Sequence, residues 1–314
     1  MLDAGWGVER IARLVRDGSW VVVRRGVYAT RAHWEALDEH HGRPLARVHA
    51  ACLAMRSPHV VSHFSAARVL GLPVLYPLDE WVHVTRFGHL GGRVRHGVKH
   101  HQAPFEPWQL DQVDDVWLLD RDRTACDIAR EGGLRHGLPA FDAALRAGST
   151  LDSLATACVA MDHWPHVTAV RRSLELCDRG AETPGESLAR LLVTGLHLGQ
   201  VETQFGLRDE VREGWVDLRI GRHLIEFDGR VKYHRRVDGG LAKQSAEQVV
   251  WEEKRRQDWL TGFKLGMSRL TWDDLLPRNW AATQDRVARE IRDTNARFGV
   301  SIDDLAPYIV RRRR

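Results

Sequence analysis

The sequence predicts a multi-domain α/β fold of the α+β kind, in which helices and short strands build separate modules. Helical spacing and period-two alternation both recur along the chain, so neither period accounts for it alone. Near residue 184 a capped helix is followed by three strand-like runs, a long helix and one more strand, the order of a central mixed sheet flanked by helices. The length, 314 residues, allows roughly two or three domains. They are expected at 1–44, 45–180 and 181–314.

Hydrophobic residues make up 43% of the chain, and Lys plus Arg exceed Asp plus Glu by 46 to 42, an ordinary globular balance with a slightly basic surface. Because the planar arginine fork suits phosphate, this composition permits a nucleic-acid partner. No run of roughly 18 apolar residues occurs, and no charged, apolar, small-residue leader opens the chain. The expectation is a cytoplasmic protein with no membrane partner. Cys52, Cys126, Cys158 and Cys177 lie far apart without CxxC spacing and read as buried free thiols. The 17 histidines include no HExxH, and the adjacent pairs His40-His41 and His100-His101 point apart on a strand. Most of them read as surface or loop residues.

In residues 1–44, Val8 to Val15 has helical spacing, Asp17-Gly18 stops it, and Trp20 to Tyr28 reads as two short strands around a turn. This is the shape of the last helix and wing of a winged helix-turn-helix. The segment Arg24-Arg25-Gly26-Val27-Tyr28 resembles the N-terminal winged-helix module of AbiEi-type antitoxins from type IV toxin-antitoxin systems. The resemblance covers about 30 residues and implies DNA as partner, in a defence or toxin-antitoxin setting with a toxin or antitoxin counterpart. Arg24 and Arg25 would then touch phosphates, which position DNA without reading its sequence. A wing that only packs on the next domain is the alternative.

Residues 45–180 read as short helices on a small sheet. Helices are expected over Ala46 to Met55, Ser62 to Leu70, Arg123 to Arg130 and Ala140 to Arg146, and strands over Trp81 to Thr85 and Gly97 to His101. Arg86, Arg93, Arg95, His96, Lys99, His100 and His101 form a dense basic cluster among Gly88, Gly91, Gly92 and Gly97. We read it as a solvated loop, with a phosphate-binding patch as the alternative. Asp120, Asp122 and Asp127 read as helix caps and surface charge.

In residues 181–314, Thr183-Pro184-Gly185-Glu186 is a capping-box signature with Pro just inside the helix. Strands follow over Val201 to Leu207, Trp215 to Arg219 and His223 to Asp228, then a helix from Ser245 to Gly262, a strand from Gly266 to Thr271, a helix over 281–298 and the basic tail Arg311 to Arg314. If Gly221-Arg222 makes a two-residue hairpin turn, Asp217 faces Glu226. Period-two alternation puts Asp217, Glu226 and Asp228 on one face and Val216, Leu218, Ile220, Ile225 and Phe227 on the other. Like charges opposite each other destabilise a sheet, so three carboxylates on one surface call for a cation. A hard divalent ion is the candidate. The alternative is a solvated face with Arg219, Arg222 and Arg230 as ion-pair partners.

Glu186 after Thr-Pro-Gly, Val216-Asp217, Ile225-Glu226-Phe227-Asp228-Gly229, His234, Lys254-Arg255-Arg256-Gln257-Asp258 and Gly266 resemble the Vsr-like (very-short-patch-repair-like) subgroup of PD-(D/E)XK nucleases over about 90 residues. The resemblance implies a restriction-endonuclease-like fold and a Mg²⁺- (or Mn²⁺-) dependent DNA endonuclease, a phosphodiesterase. Asp217, Glu226 and Asp228 would be metal ligands, and Glu186, His234 and Lys254 further catalytic groups. His234 would be an acid or a phosphate contact, and Arg255 and Lys232 would face nucleic acid. Asp228 stands where many superfamily members carry lysine, a departure that leaves a second metal ligand or a lost activity open. A non-enzymatic DNA-binding regulator or antitoxin on a degenerate nuclease fold is the alternative function, and an RNA target a third reading.

Overall fold

The structure, a computed structural model, describes residues 6–86, 92–229 and 246–310. It is a mixed α/β protein that divides into two units, Met1–Cys177 and Asp178–Arg314.

The first unit opens with α1 (Val8–Arg16), the hairpin β1 (Trp20–Arg24) and β2 (Val27–Thr30), α2 (Arg31–Ala36) and α3 (Gly42–Ala54). Gly26, at φ +83°, supplies the left-handed residue that closes the hairpin. Arg24 pairs with Val27 across it, after a one-residue register shift. Next come β3 (Val60–Val61), α4 (His63–Val69), β4 (Val82–Thr85), β5 (Arg93–Arg95), β6 (Val98–His101), β7 (Leu110–Val113) and β8 (Val116–Leu119). These six strands form one sheet in the order β5-β6-β4-β3-β8-β7. Val82, Val84 and Val98 point to a core shared with Val48 and Ala51 of α3.

The basic cluster is solvated at Arg93, Arg95 and His96, as its glycines suggested, but its backbone from Arg93 on is not a loop; Gly88 and Gly91 lie outside the described residues. Arg93 to His101 is an antiparallel hairpin, turned by His96 and Gly97 at φ +51° and +71°. Two successive positive φ angles are the geometry of a tight two-residue hairpin turn. His100 is buried, and so is His83 on the neighbouring strand, two exceptions to a surface reading that most of the described histidines follow.

Helix α5 (Arg121–Arg146) joins the two short helices expected there, broken at Gly133 (φ 67°, ψ −171°), and is followed by α6 (Leu151–Val159) and α7 (Val167–Leu176). Its N-cap is Asp120, which accepts from the Arg123 N–H at 2.7 Å. Asp127 is not surface charge: it is fully buried, 3.1 Å from Arg123 Nε. Arg123 also donates to Pro104 O and Gln109 Oε1, both at 3.0 Å, as a charge taken out of water requires. Cys126 and Cys158 are free thiols with sulfurs 3.8 Å apart in this core.

The second unit runs α8 (Pro184–Thr194), β9 (Val201–Arg208), β10 (Glu213–Ile220), β11 (His223–Asp228), α9 (Ala246–Thr261), β12 (Gly266–Thr271), α10 (Trp280–Phe298) and β13 (Ile309–Val310). The sheet order is β12-β11-β10-β9-β13. Strands β9, β10 and β11 are antiparallel neighbours, while β12 returns through α9 to lie parallel to β11. A parallel return needs such a crossover.

Side chains alternate along β11, so each helix can be assigned a face. Leu224 shares a core with Leu260 of α9. On the other face, Gly185 of α8 lies against the Phe227 ring, and His223 Nδ1 is 2.7 Å from Thr294 Oγ1 of α10. The unit is a three-layer sandwich, with α8 and α10 on one side of the sheet and α9 on the other.

Candidate active site and nucleic-acid interface

The β10–β11 hairpin positions the carboxylates. Leu218 pairs with Ile225, Arg219 with Leu224 and Ile220 with His223. Gly221 has φ +54° and Arg222 does not share the positive sign, which is how a turn with glycine in its first central position is built. The strand pairing ends at Leu218 and Ile225, one residue short of Asp217 and Glu226. At this point the Phe227 N–H donates to Asp217 Oδ2 at 2.7 Å.

Asp217 is half-buried, and its carboxyl is pushed up to about 7. Burial is the largest cause, and the carboxylates of Glu186 and Glu226 add to it; the Phe227 N–H and Arg256 pull the other way.

Glu226 has two arginines. Arg256 Nη1 of α9 lies 2.6 Å from its Oε1, and Arg269 Nη2 of β12 lies 3.4 Å from its Oε2. The parallel register explains the second, because Glu226 and Arg269 are direct partners across β11 and β12. Arg256 also donates to the Trp215 carbonyl. The arginines suggested for a solvated face go elsewhere: Arg219 pairs with Glu202 and Arg222 with Asp304. Arg230 lies outside the described residues.

Glu186 is buried at the first turn of α8. Its N–H donates to Thr183 Oγ1 at 3.2 Å, so the threonine caps the helix as expected. The return bond of a capping box differs: Glu186 accepts from Thr183 Oγ1 at 2.9 Å and from the Glu182 N–H at 2.7 Å. The close contact of Gly185 with Phe227 brings this helix start onto β11, so the carboxylates of Glu186 and Glu226 both act on Asp217.

Asp228 is half-buried at the end of β11, beside Thr271 in the register. Lys254 and Arg255 are exposed on α9, and the Arg255 guanidinium lies 4.6 Å from the Trp251 ring centre. His234, Lys232 and the tail Arg311 to Arg314 lie outside the described residues. Arg256, within the basic run of α9, and Arg269 were not singled out in the sequence. The register of β12 on β11 is the signal that would have found Arg269.

In the first unit, Arg24 and Arg25 line an open cleft of about 650 Å³ with Arg47, Arg95 and His96. Arg25 is exposed and Arg24 half-buried. Glu80, also in the lining, pairs with Arg47. Among the described residues, no helix is long and apolar enough to cross a membrane.

No family model matches this chain, and no curated protein matches it.

Proposed function

We propose that the second unit is a metal-dependent phosphodiesterase of the PD-(D/E)XK, Vsr-like kind, acting on DNA. The observation that carries this reading is Asp217. Its half-buried carboxyl is raised to about 7, by burial first and then by the charges of Glu186 and Glu226, so it has two acidic neighbours. The chain order of helix, three antiparallel strands, helix and a strand parallel to the third supports the same fold reading.

The donors are of the type a hard ion takes, because Asp217 and Glu226 offer carboxylate oxygens from adjacent strands, and the Glu186 charge acts on Asp217 as well. When bound there, Mg²⁺ (or Mn²⁺) supplies charge for the scissile phosphate and a water of lowered pKa. Asp217 and Glu226 would hold the ion, with Asp228 as third candidate ligand. For Glu226 to serve, Arg256 must turn from it toward the phosphate, a role that its planar fork suits. Lys254, Arg255, Lys232 and His234 keep the phosphate-contacting and proton-donating roles that the resemblance implies. Arg24 and Arg25, in the basic cleft of the first unit, are proposed as sequence-independent phosphate contacts.

A second reading has its own observation. The Arg256 and Arg269 guanidiniums already neutralise Glu226, as expected of a degenerate nuclease fold serving a DNA-binding regulator or antitoxin. One experiment separates the two. Purified protein with Mg²⁺ or Mn²⁺ is expected to nick or cut DNA, and Glu226→Gln to abolish it. Absence of cleavage of DNA and RNA across metals and pH, together with an EDTA-insensitive shift of duplex DNA, would establish the second reading instead.

A further inference from the structure

Three imidazoles meet in the first unit where β4, β6 and the start of α4 come together. The parallel register pairs His83 with Lys99 and Thr85 with His101, so His83 and His101 project from the same face of the sheet. His63, the first residue of α4, stacks on His101 with ring centres 3.7 Å apart. His83 Nδ1 and His101 Nε2 are 3.0 Å apart. One ring nitrogen from each of the three lies within 4.8 Å of the other two.

We propose that His63, His83 and His101 form a binding site for a borderline transition-metal ion of the Zn²⁺ or Co²⁺ class, with a fourth position left to water or a substrate atom. Imidazole nitrogens select such ions, whereas Mg²⁺ demands oxygen. The site is independent of the carboxylates in the second unit and does not rest on the nuclease reading.

Four observations support it. His63 and His83 are 4% and 2% exposed, a depth at which a polar ring needs partners. The His83–His101 contact shares one proton between converging nitrogens, and a metal ion can take that proton's place. The His63 Nδ1 is 2.9 Å from Ser62 Oγ, which occupies that nitrogen and leaves Nε2 as the ligand atom. Finally, His63 has φ +51°, a conformation rare outside glycine and one that collects at functional sites.

Lys99, Arg123 and Arg130 face the cluster, with Glu131 paired to Lys99 and Asp127 to both arginines. Coordination has one conformational cost, since the His63 ring must turn out of its stack on His101 to aim Nε2 at the ion.

Chelator-treated full-length protein titrated with Co²⁺ tests this. One equivalent should develop the intense visible bands of a four-coordinate site, be displaced by Zn²⁺ and be indifferent to Mg²⁺. Asp217→Asn and the surface change His40→Ala/His41→Ala should leave the titration unchanged. His101→Gln, at the half-exposed member, should weaken binding by at least about tenfold with the metal-free melting temperature unchanged. No four-coordinate spectrum in the unmodified protein overturns the proposal whatever the variants do. So does tight binding that survives both His101→Gln and His83→Gln.

Discussion

Arg256 Nη1 stands 2.6 Å from Glu226 Oε1, across the gap between α9 and the sheet. A guanidinium there competes with any cation for the same oxygen. Arg256→Ala is therefore expected to tighten Mn²⁺ binding to the second unit severalfold, for a part-exposed pair is worth about 1 kcal/mol. It should at the same time slow any cleavage, as the phosphate loses its fork. Titration followed by Mn²⁺ relaxation, set beside a cleavage assay, checks both. Unchanged binding would mean that Arg256 and the metal do not share Glu226.

Asp217 gives a pH dependence with a definite sign. Its carboxyl titrates near 7 when folded against an ordinary 3.8, so between those values the folded chain holds a proton that the unfolded chain releases. The contribution is full below about pH 4 and is lost as pH rises through 7. Allowing for solvent screening of a half-buried group, the loss is on the order of 2 kcal/mol. Asp217→Asn should flatten this part of the urea-denaturation profile between pH 4 and 8. Mg²⁺ should stabilise the unsubstituted protein more at pH 8 than at pH 5.

Gly185 is a steric requirement. A Cβ there would lie 2.0 Å from Phe227 Cε1, and neither α8 nor β11 can retreat without repacking. Gly185→Ala should destabilise the second unit by about 1–3 kcal/mol, read as a lower urea midpoint. It should also impair cleavage beyond what the lost stability explains, because Glu186 moves with the helix.

The wing arginines are expected to act through charge alone. Arg24→Ala/Arg25→Ala should weaken duplex DNA binding about equally for unrelated sequences. The slope of log affinity against log salt should fall by about 2, nearly one unit for each phosphate contact removed. Fluorescence anisotropy over a KCl series measures this. A sequence-selective loss would point to base contacts.

Local chemistry made part of this protein legible in its sequence. Gly221 between two alternating runs fixed the hairpin register, and Thr183-Pro184-Gly185-Glu186 announced the start of α8. What escaped was whatever depended on distant partners. Arg256 reaches Glu226 from a helix and Arg269 from a parallel strand, so neither spacing resembles a motif. His63, His83 and His101 converge only through the sheet and the start of α4. Asp127 looked like surface charge because its burial depends on Arg123 finding two further acceptors. At the basic hairpin, glycine beside arginine reads as solvent-exposed loop until Arg95 is seen to pair with Val98.

The outer edge of β9 bears on a different property, resistance to self-association. Unpaired strand edges recruit strands from other molecules. Here β13 covers Gly206 and Leu207, and Gln204, at φ +52°, bends the backbone just before them. A second copy approaching that edge meets a strand neither straight nor open along its length. One very short strand and one bent peptide unit leave little straight, open edge of β9 for another strand to extend.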